Sequence, residues 1–120
     1  MSLHPNFKFL QHIDAVTNFA AGQQINIAGE PGDEMFYIKS GEVDISLHGK
    51  LLASLGPGEI FGEMALIDTK QRYADAFAKT DCELIGIDEK HFSFLIQEHP
   101  YFALNVMRVL VERLRKKTES

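Results

Sequence analysis

The chain has 120 residues, of which 45% are hydrophobic, and this length and composition suit a single domain with a sizeable core. Its net charge of −5 argues against a nucleic-acid partner, because such binders need a basic surface to neutralise phosphates. No apolar run reaches the length of a membrane span, and the N-terminus lacks the pattern of a signal peptide. The single Cys82 cannot form an internal disulfide, which favours a reducing, cytoplasmic location.

Short runs of β-type residues, separated by glycine-rich turns, occupy the first two thirds of the chain. Alternating patterns and branched or aromatic residues predict strands over 24–28, 35–40, 42–47, 50–55, 73–80 and 82–88. The dipeptides SG and HG predict two hairpins, over 38–45 and 46–52. Many short, closely spaced strands are typical of a sandwich, jelly roll or barrel and not of a parallel sheet.

The last third of the chain changes to a helical period. Asp88 is a suitable N-cap for a helix over 89–99, and a second helix begins at Pro100, where proline is tolerated. The predicted apolar faces of the two helices are Phe92, Leu95 and Ile96, and then Phe102, Val106, Val109, Leu110 and Leu114. Strands followed by helices predict an α+β chain with one domain, 1–120, divided at about 88 into a β region (about 13–88) and C-terminal helices (about 89–117).

The stretch FGEMALIDTKQRYADA, residues 61–76, carries the residues best suited to ligand chemistry. Residues 62–66 fit a single helical turn, whose first amides lack intrahelical partners and favour an anion. Gly62 lets a ligand approach the backbone, and Arg72 offers a planar cationic fork for phosphate oxygens. Glu63 would repel phosphate but can accept hydrogen bonds from hydroxyl groups. The set predicts a sugar phosphate or nucleotide; the alternative is that Glu63 and Arg72 pair and staple the loop.

Linked motifs along most of the chain, from about Gly22 to Leu114, resemble the cyclic-nucleotide-binding domain family. AAGQQINIAGEPGDEMFYIKSGEVDI is similar to the opening strands of that family. LGPGEIFGEMALI resembles the run into its phosphate-binding cassette, and KTDCELIGID followed by FSFLI resembles its closing strand and first C-terminal helix. The family includes the protein kinase A regulatory subunits and the catabolite activator protein.

The resemblance implies an eight-stranded antiparallel β-roll, a jelly-roll-like double-stranded β-helix, with a short cassette helix and C-terminal helices. It implies that Glu63 binds the ribose 2′-hydroxyl and that Arg72 binds the exocyclic phosphate oxygens. Further contacts are implied for the backbone amides of Gly62, Met64, Ala65 and Tyr73. The implied protein is a regulatory domain without a cofactor, with cyclic AMP as the favoured ligand and cyclic GMP as the alternative.

Tyr73 departs from the family, because the residue after the arginine is usually small. If its ring fills the phosphate site, the chain is a silent interaction or dimerisation module. The four residues before Arg72, 68–71, also lack the usual glycine and proline, which changes the loop but removes no ligand contact. The helix after Pro100 resembles the one that caps the base or dimerises in the family, which implies a protein partner or a homodimer.

The remaining polar residues suggest no enzyme. The five histidines, His4, His12, His48, His91 and His99, are scattered, which disfavours a metal enzyme of the cupin type. We expect Cys82 to be a buried small hydrophobe. We expect Asp75 to face solvent from its strand, and Asp33 and Glu34 to be solvated beside a turn.

Overall fold

The computed structural model describes residues 7–119, apart from the side chains of residues 69, 118 and 119. In this span, eight antiparallel strands precede two α-helices, which confirms the predicted fold class. The strands are β1 (Thr17–Phe19), β2 (Gln24–Asn26), β3 (Glu34–Ser40), β4 (Val43–Leu47), β5 (Lys50–Leu55), β6 (Ile60–Phe61), β7 (Asp75–Ala78) and β8 (Cys82–Asp88). The helices are α1 (Glu89–Glu98) and α2 (Tyr101–Glu119), with a 3-10 helix at Lys8–His12 and a π-helical turn at Ala65–Thr69.

The strands form two four-stranded sheets with the orders β1-β8-β3-β6 and β2-β7-β4-β5. The predicted hairpin over 46–52 is confirmed, since β4 and β5 pair across a two-residue turn in which His48 and Gly49 both have positive φ. The predicted hairpin over 38–45 is wrong, because β3 and β4 belong to different sheets. Gly41 carries the chain around this corner with φ +89°, and a Cβ there would lie 2.3 Å from the Asp81 carbonyl oxygen.

Strand β3 lies between two separate apolar clusters. Phe36 and Ile38 pack into the cluster between the two sheets, whereas Met35 and Tyr37 pack into the cluster beneath the helices. Strand β3 is therefore buried on both faces, which explains why its sequence is apolar without alternation. The second cluster also contains Phe7 and Leu10 from the N-terminal segment, an anchor that the sequence pattern did not predict.

The N-terminal end of α1 has the predicted cap, because the Asp88 carboxylate accepts a hydrogen bond from the His91 amide at 2.8 Å. The predicted inner face of α1 is also confirmed: Leu95 is buried, and Phe92 and Ile96 pack against the same cluster. Together these contacts fix the direction in which the chain leaves the sheet.

Helix α2 packs on the β-roll through Phe102, Val106, Val109 and Leu110, as predicted, but not through Leu114. Leu114 is 66% exposed, because steps of four residues advance by 400° and drift about 120° between 102 and 114. Four apolar side chains instead form an outer seam, which faces away from the roll: Leu104, Met107, Val111 and Leu114.

Candidate functional site

The cassette begins at Gly62, which leaves β6 with φ +80°. The helical residues that follow run to Thr69, so the predicted single turn is present and is extended by a π-helical turn. Ala65 and Leu66 are buried and anchor the turn to the core, while Met64 is exposed. The turn ends at Lys70, whose left-handed backbone lets its amide donate to the Ala65 carbonyl at 3.0 Å.

Arg72 is a buried cation, with 8% of its surface exposed. Its Nη1 group donates to the Glu34 carbonyl at 2.7 Å and to the Gly62 carbonyl at 3.5 Å. The guanidinium lies 5.3 Å from the centre of the Phe36 ring, within reach of a cation–π interaction. No ion pair of Arg72 is found among the described residues, and desolvation lowers its pKa despite the nearby charges of Glu34 and Asp33. The site thus holds a positive charge without a carboxylate partner.

The loop between β2 and β3 holds the backbone of Arg72. The Gly29 amide donates to the Arg72 carbonyl, and the Arg72 amide donates to the Glu30 carbonyl, both at 2.8 Å. The Gly32 amide donates to the Lys70 carbonyl at 2.9 Å. Two separate stretches of chain are therefore joined at the residue best placed to bind an anion.

Glu34 is the first residue of β3, directly after this loop, and the expectation that it is solvated is wrong. Its side chain is partly buried, and burial, followed by the charge of Asp33, raises its pKa above the ordinary 4.5, although Arg72 opposes the shift. Glu34 is partly buried because the sheet register pairs it with Asp88 and places the Glu34 carboxylate over Gly86. Asp33 is exposed, as expected.

Glu63 pairs with Arg113 of helix α2, a residue that the sequence analysis missed. Arg113 donates from Nη1 to the Glu63 carboxylate at Oε1 and from Nη2 to the Ile60 carbonyl. The alternative in which Glu63 and Arg72 pair with each other is therefore wrong. A signal for Arg113 was present, because residues 102, 106, 109 and 113 share one helical face, and an arginine on a buried face requires a partner.

The second carboxylate oxygen of Glu63, Oε2, is buried and accepts no hydrogen bond from any described residue. A buried acceptor without a donor costs about 1–3 kcal/mol or more when charged, so it marks a place where a donor is missing. Glu63 as a whole is 3% exposed. Within the described part of the chain, the site thus combines a buried cation without an ion pair, Arg72, with a buried acceptor without a donor, and it matches an anion that carries a hydroxyl group.

Two residues beside the cassette, Tyr73 and Asp75, bear on the earlier expectations, and Asp75 differs from its expectation. Tyr73 is 49% exposed, so its ring is not enclosed in the predicted phosphate site. Asp75 does not simply face solvent: it is partly buried, and its Oδ1 accepts a hydrogen bond from the Ala28 amide at 2.8 Å. Cys82 is buried as expected, and burial raises the pKa of its thiol.

Neither a metal-binding group nor a membrane-spanning helix is found among the described residues 7–119. They include no group of three or more histidine, cysteine or acidic side chains arranged to hold a metal ion. None of their helices has the length and apolar character needed to cross a membrane.

The family model of the cyclic nucleotide-binding domain matches residues 16–99. The chain belongs to this family. It is 37% identical, over 88% of its length, to Glutaminase 2 of Bradyrhizobium diazoefficiens, and 37% identical, over 82%, to the Cyclic AMP receptor protein of Thermus thermophilus. It spans 17% and 48% of the lengths of those two proteins.

Structural comparison agrees with the sequence comparison. The crystal structure of the Thermus thermophilus Catabolite Activator Protein superposes with a TM-score of 0.79 and 34% identity, covering 87% of this chain and 51% of that one. The β-roll with C-terminal helices is thus the fold of this ligand-binding regulatory family, in which some members are joined to enzymes.

Replacing Arg113 by alanine should lower the free energy of unfolding by about 2 kcal/mol, because Glu63 would stay buried without its cation. The loss is smaller than for a fully enclosed pair, since 38% of the Arg113 side chain is exposed. Urea denaturation measures it, with Arg115→Ala on the exposed side of the same helix as the control. Arg113→Ala should cost less in a Glu63→Gln background; an equal cost in both backgrounds would contradict the pairing.

Proposed function

We propose that this domain binds a cyclic nucleotide, with cyclic AMP favoured over cyclic GMP, and signals its binding through helix α2. The observation that carries the proposal is a pair of buried groups that lack a partner among the described residues: the Arg72 cation has no carboxylate, and Glu63 Oε2 has no donor. A cyclic nucleotide supplies both missing partners, namely an anionic phosphate and a ribose 2′-hydroxyl. Family membership supports the same assignment of roles.

The phosphate would meet Arg72 at the groups that remain free. Its Nη1 is held by two carbonyls, whereas no hydrogen bond from Nε or Nη2 is found among the described residues. A charge-assisted bond from this half of the fork is stronger than a neutral one. We assign further phosphate and ribose contacts to the amides of Gly62, Met64, Ala65 and Tyr73, as the family resemblance implies.

Signalling would pass through the carboxylate of Glu63. Arg113 holds Oε1 from α2, and the ribose hydroxyl would bind Oε2 of the same group. Ligand binding then favours the position of α2 in which Arg113 reaches Glu63, which is a population shift between two helix positions. The ligand can change this equilibrium only by its difference in affinity for the two states.

Two observations bear on the ligand and on the silent alternative. The Thermus thermophilus relative is named a cyclic AMP receptor, which supports cyclic AMP as the first ligand to test. The exposure of Tyr73 argues against a ring that plugs the phosphate site, so we favour a working pocket. A cytoplasmic location rests on the single Cys82 and stays a prediction.

Calorimetry against cyclic AMP and cyclic GMP tests this function. Arg72→Ala should weaken binding by about 2–4 kcal/mol, because it removes charge-assisted hydrogen bonds in a desolvated site. Arg115→Ala, which removes the same charge from an exposed position, is the matched control and should leave the affinity unchanged. The 2′-deoxy form of cyclic AMP should bind about tenfold more weakly to the unaltered chain, since Glu63 Oε2 would again lack a donor.

Equal affinity of Arg72→Ala and the unaltered chain would place the nucleotide elsewhere. Absence of any binding or thermal shift with millimolar nucleotide would support the silent module instead, because a ligand specific for the native state must raise the melting temperature.

We further propose that the partner of the outer seam is a second copy of this chain. The spacing of Leu104, Met107, Val111 and Leu114 is three, four and three residues, the a/d repeat of a coiled coil. Three of the four side chains are more than half exposed, although they lie on the helix that binds the cassette. A parallel pair suits the flanking charges, since an antiparallel pair that aligns the seam would bring Arg108 of one copy towards Arg108 of the other.

Sedimentation velocity over a range of concentrations measures this self-association. The unaltered chain should form dimers in a concentration-dependent way, and Val111→Glu should remain monomeric, because it places a charge in the centre of the seam. Phe94→Glu introduces the same charge at an exposed apolar residue of α1 and should still dimerise. A monomeric unaltered chain, or a Val111→Glu variant that dimerises equally well, would rule out the seam.

A further inference from the structure

The segment from Gly29 to Glu34 contacts both the backbone and the side chain of Arg72. Besides the backbone bonds of Gly29 and Glu30 to Arg72, the Glu34 carbonyl accepts a hydrogen bond from Nη1. Between these contacts, the guanidinium passes directly over the backbone of Gly32. The position of the cation therefore depends on a residue that lies forty positions earlier in the chain.

The space at Gly32 is occupied by Arg72. A Cβ atom added to Gly32 would lie 2.3 Å from Arg72 Nε, 2.7 Å from Cζ and 2.8 Å from Cδ. These distances are far below van der Waals contact, and they involve the middle of the side chain and not only its tip. The backbone of Gly32 does not have the positive φ that favours glycine, so an added Cβ brings no left-handed backbone strain. The lack of a side chain at Gly32 leaves space for Arg72, and no positive φ requires a glycine there.

We propose that Gly32 is a positioning residue for the anion-binding group: it leaves the room in which Arg72 lies against the Glu34 and Gly62 carbonyls and the Phe36 ring. The inference rests on the proposed cyclic-nucleotide function for its effect on affinity. Any side chain at position 32 pushes the guanidinium out of this place, and the cation then no longer lies beside Gly62 of the cassette. Gly62 also approaches Arg72, but its φ of +80° means that a substitution there would strain the backbone as well.

Gly32→Ala separates this role from a general effect on the fold. Gly56→Ala is the matched control, because Gly56 also lacks a positive φ and an added Cβ would meet no atom within 4 Å. By calorimetry with cyclic AMP, Gly32→Ala should weaken binding about tenfold or more, the cost of losing one charge-assisted hydrogen bond, whereas Gly56→Ala should bind like the unaltered chain. In an Arg72→Ala background, Gly32→Ala should have no further effect.

A second measurement needs no ligand. The Nε–H resonance of Arg72 in a ¹⁵N-labelled sample, identified by its loss in Arg72→Lys, should shift in Gly32→Ala and stay in place in Gly56→Ala. If the unaltered chain binds no cyclic nucleotide, the proposed function fails, and this resonance alone decides whether Gly32 positions Arg72. An unchanged resonance overturns the inference, as does an affinity loss that persists when Arg72 is absent.

Discussion

The buried carboxylate of Glu63 connects the parts of this molecule that have to act together. It sits at the start of the cassette, one of its oxygens holds Arg113 of helix α2, and the other is unoccupied by any described donor. A carboxylate that is 3% exposed is costly unless it is paired, so the position of α2 and the conformation of the cassette depend on each other. Helix α2 is thereby attached to the cassette and not only to the apolar core.

The second charge of the site, Arg72, is satisfied in a different way. It is surrounded by two carbonyl oxygens and an aromatic ring, and the loop before β3 holds its backbone. These groups reduce the free-energy cost of burying the cation, but they do not neutralise its charge. The lowered pKa of Arg72 agrees with this. Because the two charges do not pair with each other, Glu63 Oε2 and the Nε and Nη2 groups of Arg72 make no hydrogen bond to any described residue.

Features set by neighbouring residues could be predicted from the sequence. The Asp88 cap and the turn at His48 and Gly49 depend on a few adjacent side chains, and both were predicted. The SG dipeptide at residues 40–41 was misread as a hairpin, because glycine serves equally well at a corner between sheets. What decides between the two is the pairing of β3 with β8, whose residues lie more than forty positions later in the chain.

In the candidate site, too, contacts between residues far apart in the chain could not be predicted from local sequence. Glu63 and Arg72 stand out because their residue types and spacing suit a phosphate and a hydroxyl, and the family resemblance selects the same pair. Arg113 lies 50 residues from Glu63, and only its place on the buried face of α2 hinted at it. Gly32 belongs to the opening-strand motif that resembles the family, but nothing in the sequence connected it with Arg72, whose atoms fill the space above it.

The most direct test of the account is a crystal structure of the chain with cyclic AMP. It should show the phosphate bound by the free half of the Arg72 fork and the ribose 2′-hydroxyl bound to Glu63 Oε2, with Arg113 still on Oε1. A nucleotide that displaces Arg113 from Glu63, or whose phosphate makes no contact with Arg72, would contradict the account.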